Sequence, residues 1–389
     1  MTTPDTVVIV GTGLTGYTAA KTLRASRFGG RIVLVGCETA LPYRRTALSK
    51  DLLGGAAAST IALDAESFYA ENDIELRTGT TATALDTASR TLTLSGKEDI
   101  GYDALLLATG ASARTLPMID GATLRQLDDV EPLRRDIEHD RSLIVVGAGL
   151  IGCEVAATAC GLGADVTVLE SASAPLARVV PPEVSRMFTD LHAENGVRIH
   201  TDVALTSSAR GSSSSTTITT ADGRIFTSGT VLVAIGSEPN DALASAAGLD
   251  TDGGIVVDDH FRTSAEDVYA AGDVASIPNP VFVGRYRSEH WNGAAAQGAA
   301  AARAILGTEP GTLEIPWGWS SQYGKNLQFV GWTRHDDDYV VQGSINDRSF
   351  IAVAHRDGAV VGAVGMGRPK DIRAVRSQMA KDAPAVSAL

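Results

Sequence analysis

Thr6-Val7-Val8-Ile9-Val10-Gly11-Thr12-Gly13-Leu14-Thr15-Gly16 is the stretch that decides the fold. A β-branched run ends on a glycine, and Gly13 and Gly16 follow it. Gly11 permits a tight turn, Gly13 lets the backbone approach a pyrophosphate, and Gly16 lets a helix pack close to the strand with its N-terminus facing the phosphates. Thr12, Leu14 and Thr15 complete the turn. The pattern predicts a helix from about Leu14 to Ala25 and a second strand over Arg31–Val35, a βαβ unit. Glu38 lies 22 residues after Gly16, where that strand ends. A carboxylate at this place accepts hydrogen bonds from both hydroxyls of a ribose.

The pattern occurs twice. Leu143–Val146 is apolar and runs into Gly147-Ala148-Gly149-Leu150-Ile151-Gly152, then a helical stretch (Glu154–Cys160) and a strand (Val166–Leu169) that ends at Glu170. An acid at Glu170 favours NADH, because it repels the 2′-phosphate of NADPH. The separation of the two copies is too long for a solenoid repeat and reads as two dinucleotide-binding domains. Leu105-Leu106-Leu107-Ala108-Thr109-Gly110 and Val231-Leu232-Val233-Ala234-Ile235-Gly236 are strands ending in a small residue and glycine, suited to crossing between domains beside a cofactor. Tyr269-Ala270-Ala271-Gly272-Asp273 ends another strand, and Asp273 is placed to bond a flavin ribityl chain.

From about Glu314 the character changes to tryptophans and alternating runs (Leu327–Val330, Tyr339–Val341, Phe350–Ala354, Val360–Val364), which predicts an α+β domain on an antiparallel sheet. The low-complexity stretch Arg210–Thr220 is expected to be a flexible hairpin loop. The fold class is therefore α/β: two Rossmann-like dinucleotide-binding domains plus a C-terminal α+β domain.

Composition narrows the function. The 389 residues exceed one core. A net charge of −13 disfavours nucleic acid. No apolar run of 18 residues exists and no secretory signal opens the chain, so no membrane association is expected and the cytoplasm is the default. Cys37, Cys153 and Cys160 form no Cys-x-x-Cys pair and are expected to be small buried hydrophobes, with no metal site. Two segments are basic: Arg44, Arg45 and Lys50, and Arg368, Lys370, Arg373, Arg376 and Lys381 near the C-terminus.

Several segments carry a family resemblance over nearly the whole chain: Pro42-Tyr43-Arg44-Arg45-Thr46-Ala47-Leu48-Ser49-Lys50, Val166 to Ser185, Glu289-His290-Trp291 and Trp319-Ser320-Ser321-Gln322. The sequence resembles the FAD-dependent NADH:ferredoxin reductases of bacterial oxygenase systems, the putidaredoxin reductase, rubredoxin reductase and Rieske dioxygenase reductase type. The resemblance implies FAD and NAD(H) as cofactors and an iron–sulfur ferredoxin or rubredoxin as partner, in a monomer or dimer. It implies that the two dinucleotide-binding domains are nested in the manner of the glutathione-reductase superfold, with boundaries 1–112 and 242–314 for FAD, 113–241 for NADH, and 315–389 for the last domain. It implies that Lys50 sits by flavin N5, paired with Glu154. It also implies that Arg45, Arg125, Asp273, Trp291 and Trp319 line the FAD site, and that Glu170 and Arg178 hold the adenosine half of NADH. Cys37, Ala82 and Glu289 join the residues expected at the cofactors. The family's paired prolines are Thr46 and Ala47 here, and its Trp-Ser-Asp-Gln has Ser321 for aspartate.

Physical logic supports the lysine independently. A fixed ammonium near the flavin favours the extra negative charge of its reduced form, and Glu154, expected in the first turn of its helix, would hold it. A disulfide reductase is rejected for want of paired redox cysteines. A peroxidase or oxidase of this superfold would place a reactive cysteine within Ala47–Leu53, where none occurs. A diaphorase acting on a small organic acceptor stays open. So does an NADH-sensing flavoprotein like apoptosis-inducing factor, although the long C-terminal insertions and targeting segments of such proteins are not evident.

Overall fold

The computed structural model describes residues 4–211, 215–282, 284–311 and 314–383. Its first sheet is parallel throughout, with strands in the order Val268–Ala270, Ala104–Leu107, Thr6–Val10, Arg31–Val35, Ile74–Arg77. The edge strand at Val268 returns to this sheet after the whole second unit, so one domain is inserted in the other. Val7, Val8, Ile9, Ile32, Val33 and Leu34 are fully buried, as continuous apolar runs are in a sheet covered on both faces. The helix Leu14–Ala25 lies against the helix Trp291–Ile305, and a Cβ on Gly298 would stand 2.3 Å from the Thr15 carbonyl oxygen.

The second sheet repeats the plan in the order Arg198–His200, Asp165–Leu169, Ser142–Val146, Thr230–Val233, again all parallel. Two short antiparallel strands, Ala111–Ala113 and Ser237–Pro239, carry the chain out and back. They are laced at their base: Asn240 Nδ2 donates to the Thr109 carbonyl at 2.9 Å, and Thr109 Oγ1 donates to the Asn240 carbonyl at 2.8 Å.

The last unit is an antiparallel sheet ordered Trp317–Gln322, Lys325–Gly331, Ala359–Met366, Ser349–Arg356, Asp338–Ser344. The helix Pro369–Asp382 seals it by burying Ile372 and Met379 with Val330, Ile351 and Ala363. No described helix is long and apolar enough to cross a membrane.

Two expectations need correction. Thr216–Thr220 is not loop but strand, paired with Leu205–Arg210 and burying Ile218; alternating β-branched residues suit a half-buried strand whatever their low complexity. Residues 212–214 of that stretch lie outside the described ones. Cys37 is exposed, because its strand stops at Val35 and the chain turns outward, while Cys160 is half-buried and only Cys153 is in the core.

Candidate functional site

The two glycine turns have the same local geometry. Gly11 and Gly147 adopt φ of +120° and +103°, the left-handed half of the map that favours glycine. A Cβ on Gly16 would stand 1.9 Å from the Gly11 carbonyl oxygen, and one on Gly152 2.0 Å from that of Gly147. The middle glycines differ from both: a Cβ on Gly13 or Gly149 would meet nothing within 4 Å. Each caps a helix with no side-chain cap and no acidic residue in its first turn. The first-turn amides thus open onto free space, the arrangement that receives a pyrophosphate. Ala108, Gly110 and Gly272 surround the first turn. The Ala108 carbonyl oxygen sits 2.0 Å from the position of a Gly11 Cβ, and a Cβ on Gly272 would strike Thr15 Oγ1. Gly236, at φ +117°, lies beside the second.

The acids that follow the turns are held differently. Glu38 accepts from Tyr43 Oη at 2.6 Å and from Arg45 Nη2 at 2.7 Å. Burial pushes its pKa up, but the Arg45 charge and these hydrogen bonds outweigh burial and leave it lowered. Arg45 also reaches the Arg125 carbonyl, and Arg125 Nη2 pairs with Asp273 Oδ2 at 2.8 Å. Glu38, Arg45, Arg125 and Asp273 therefore form one chain along the first domain's rim. Glu170 instead takes two backbone donors, Ala148 N at 2.5 Å and Ala172 N at 2.8 Å, and the Ser171 hydroxyl at 3.3 Å. A carboxylate has about four lone-pair positions, so acceptor capacity remains for ribose hydroxyls.

Lys50 reaches the helix that follows the second turn. It sits in an unusual π-helical turn, Leu48–Leu52, closed by the Leu53 amide on the Leu48 carbonyl at 3.2 Å; such turns recur at functional sites. Lys50 Nζ is 2.6 Å from Glu154 Oε2. Glu154 is only 3 % exposed and also accepts from Ser49 Oγ at 2.5 Å and Ser320 Oγ at 2.8 Å. One expectation is corrected here: the first turn of helix Leu150–Gly161 holds no acid, and Glu154 sits in the second. These side-chain donors, not the helix end, satisfy the carboxylate.

The remaining expected residues spread around this core. Trp291 begins its helix just after His290, whose ring packs edge-on against Phe329 at 4.9 Å. Trp319 is part-exposed on the strand that carries Ser320, its ring centroid 6.1 Å from that of Trp317. Glu289 pairs with Arg287, which also donates to the Asp273 carbonyl. Ala82 begins a strand two residues beyond Thr80, whose amide bonds the Gly36 carbonyl below Cys37 and Glu38. Arg178 is exposed beyond Glu170, and Ile151 is 46 % exposed in the second turn. Ser49, Ser320, Gln322, His192 and Tyr323 have no role in the sequence reading, yet all prove to be linked to Glu154 (below). Alternation along Trp317–Gln322 was the available signal: Ser320 and Gln322 face inward together, whereas Ser321 shares a face with the tryptophans.

The fold and site define a two-dinucleotide oxidoreductase with a lysine–glutamate pair at the helix behind the second nucleotide turn. The chain belongs to the pyridine nucleotide-disulphide oxidoreductase family, which it matches over residues 5–298, and a reductase C-terminal domain matches residues 317–388. It is 36 % identical to the ferredoxin–NAD(+) reductase component of a 3-phenylpropionate/cinnamic acid dioxygenase from Photorhabdus laumondii, covering 98 % of each chain. Identity is 39 % to the ferredoxin reductase component of a chlorobenzene dioxygenase from a Cupriavidus species, over 94 % of this chain and 90 % of that one. The reductase of the covalent putidaredoxin reductase–putidaredoxin complex superposes with a TM-score of 0.93 at 35 % identity, covering 97 % of this chain and 93 % of that one. The residues fit the cofactors of this family, FAD and NAD(H): two open glycine cradles, each followed by an acid just past the next strand, and cationic side chains along the first.

Proposed function

We propose that this protein is an NADH:ferredoxin reductase that supplies an oxygenase with electrons. FAD, when bound, accepts a hydride from NADH and releases the electrons singly to an iron–sulfur protein. The observation that carries the reading is the Lys50–Glu154 pair, half-buried at the lysine and buried at the glutamate, in a chain with two open dinucleotide cradles and no disulfide among the described residues. Cys37, Cys153 and Cys160 include no Cys-x-x-Cys or Cys-x4-Cys pair, and they stand respectively exposed, in the core and half-buried, which argues against a dithiol relay and for direct delivery to an external carrier.

The residues divide the work. The amides behind Gly13, with Arg45, Arg125 and Asp273, bind the pyrophosphate and ribityl regions of FAD, and Glu38 its ribose. The amides behind Gly149, with Glu170 and Arg178, would hold NADH. Lys50 holds positive charge where the reduced flavin is most negative, and Glu154 keeps the ammonium from swinging into solvent. In this reading residues 1–112 and 242–314 hold FAD, 113–241 hold NADH, and 315–389 bring Trp319 and Ser320 to the site. Cytoplasmic residence follows from the NADH supply.

The test is Lys50→Met in stopped flow. FAD should stay bound while its reduction by NADH slows, because the pyrophosphate contacts lie elsewhere. An unchanged rate would remove the lysine from the mechanism. Turnover with and without an iron–sulfur protein separates this activity from that of a diaphorase.

A further inference from the structure

From Glu154 a line of buried side chains runs away from the lysine. Ser320 Oγ donates to Glu154 Oε1 at 2.8 Å, and Gln322 Nε2 donates to Ser320 Oγ at 3.1 Å. His192 Nε2 lies 3.0 Å from Gln322 Oε1, and Tyr323 Oη lies 2.9 Å from His192 Nδ1. His192 is fully buried, and Ser320 and Gln322 nearly so. The chain starts on the helix Pro182–Glu194, crosses the first hairpin of the C-terminal sheet, and returns to the helix Leu150–Gly161.

Chemistry fixes its direction. An ionised carboxylate only accepts, so Ser320 must spend its proton on Glu154. Ser320 then needs a donor, which orients the Gln322 amide with its nitrogen toward Ser320. The Gln322 oxygen in turn faces His192 and requires a proton on Nε2, leaving Nδ1 to accept from Tyr323. Burial holds the imidazole pKa down to about 4, so the ring stays neutral and a single tautomer satisfies every link.

We propose that His192 is a positioning residue for flavin reduction: through Gln322 and Ser320 it locks the Glu154 carboxylate, and thereby Lys50, in place. The proposal rests on the reading that Lys50 stands beside the flavin. It makes the C-terminal domain part of the machinery that sets the lysine. Buried networks act as units, and losing one link leaves its neighbour unsatisfied.

Three measurements test it. Nitrogen-15 NMR of histidine-labelled protein, with FAD and without it, should show His192 as the neutral Nε2–H tautomer at pH 7; the Nδ1–H tautomer would overturn the chain's direction. His192→Phe and Ser320→Ala should retain FAD, lower the flavin midpoint potential and slow reduction by NADH about tenfold, the scale of a lost hydrogen bond to a charged group. His192→Gln, whose amide nitrogen reaches the place of Nε2, should restore the rate to within about twofold of the parent. Should His192→Phe fail to fold, Ser320→Ala and Tyr323→Phe decide alone. Wild-type rates and potentials in both would overturn the proposal. Lys50→Met separates the failures: slow Lys50→Met beside normal Ser320→Ala sinks only the chain, whereas normal Lys50→Met sinks the flavin-side reading beneath it.

Discussion

The two nucleotide turns are near copies in backbone and unlike in surroundings. Both set an open middle glycine between two crowded ones. Around the first, Arg45 neutralises Glu38, Arg125 pairs with Asp273, and the helix Trp291–Ile305 closes over Thr15. Around the second, Glu170 has no ion pair among the described residues, and Ile151 and Arg178 face solvent. The same local motif is thus built once as a lined cradle and once as an open one, which suits the proposed division between a resident FAD and an exchanging NADH. Affinity is set by what surrounds the turn, since the turn itself is common to both.

The largest test substitutes the middle glycines. A valine at either position starts from empty space, so each variant should fold, unlike Gly16→Val, whose Cβ would stand 1.9 Å from a carbonyl oxygen. Gly13→Val should yield folded protein by circular dichroism that purifies without FAD. Gly149→Val should keep its FAD and its yellow colour, with KM for NADH raised about 100-fold by loss of pyrophosphate contacts. If both variants lose FAD, or neither does, the contrast between the two turns is not functional.

The acids sharpen the contrast further. A 2′-phosphate entering the second cradle meets Glu170 uncompensated, so kcat/KM for NADH should exceed that for NADPH at least about 100-fold, roughly 3 kcal/mol. Glu170→Ala should shrink the ratio mainly by weakening NADH. Comparable rates with both nucleotides in the parent protein would show that the carboxylate is not at the ribose.

Much of this was legible because steric need is local. Gly11, Gly16, Gly147 and Gly152 announce their turns through positions where a Cβ has no room, and the helix expected over Leu14–Ala25 and the strand over Arg31–Val35 stand at those residues. The Lys50–Glu154 pair was reached through family resemblance, for nothing local ties residues 104 positions apart. His192 was invisible for the same reason: its partner Gln322 lies 130 residues on, and one histidine in a helix carries no signal of what it will face. The π-helical turn at Leu48–Leu52 likewise depends on the packing around it. Cys37 misled because a cysteine is commonly a small buried hydrophobe, whereas two residues past Val35 the chain has already turned outward.

Acid should weaken the region around the second turn through His192. Its pKa falls from the ordinary 6.5 to about 4 by burial, so between those values the unfolded chain binds a proton that the folded one refuses. Stability is then fully present above pH 6.5 and falls as pH drops toward 4, by at most about 3 kcal/mol from this group. Half-buried His290, just before the helix Trp291–Ile305, is lowered in the same direction by desolvation and adds to the slope. Urea titrations at pH 7 and pH 5 should show the loss, and His192→Gln should remove part of it. An equal slope in that variant would assign the acid sensitivity elsewhere.

The smallest expected effect concerns where electrons leave. The protein is acidic overall, yet the C-terminal helix Pro369–Asp382 and its flank are basic. The structure trims that patch. Arg368 is paired with Asp371, Arg376 with Glu314 while lying over the Trp317 ring, and Arg45 belongs to the first cradle. Lys370 and Arg373 remain exposed without an ion pair among the described residues, three residues apart and so on one helix face. Exposed charges of this kind act on association rate more than on the bound state. Raising salt from about 20 to 300 mM shortens the screening length to below 10 Å and should raise the apparent KM for an acidic ferredoxin several-fold. Ferricyanide reduction, which needs no docking, should barely change. Lys370→Glu with Arg373→Glu should reproduce the high-salt KM at low salt and leave kcat alone, since neither residue touches either cradle. A flat salt response together with an unaltered double variant would place the docking face away from this helix and leave the contrast between the two cradles untouched.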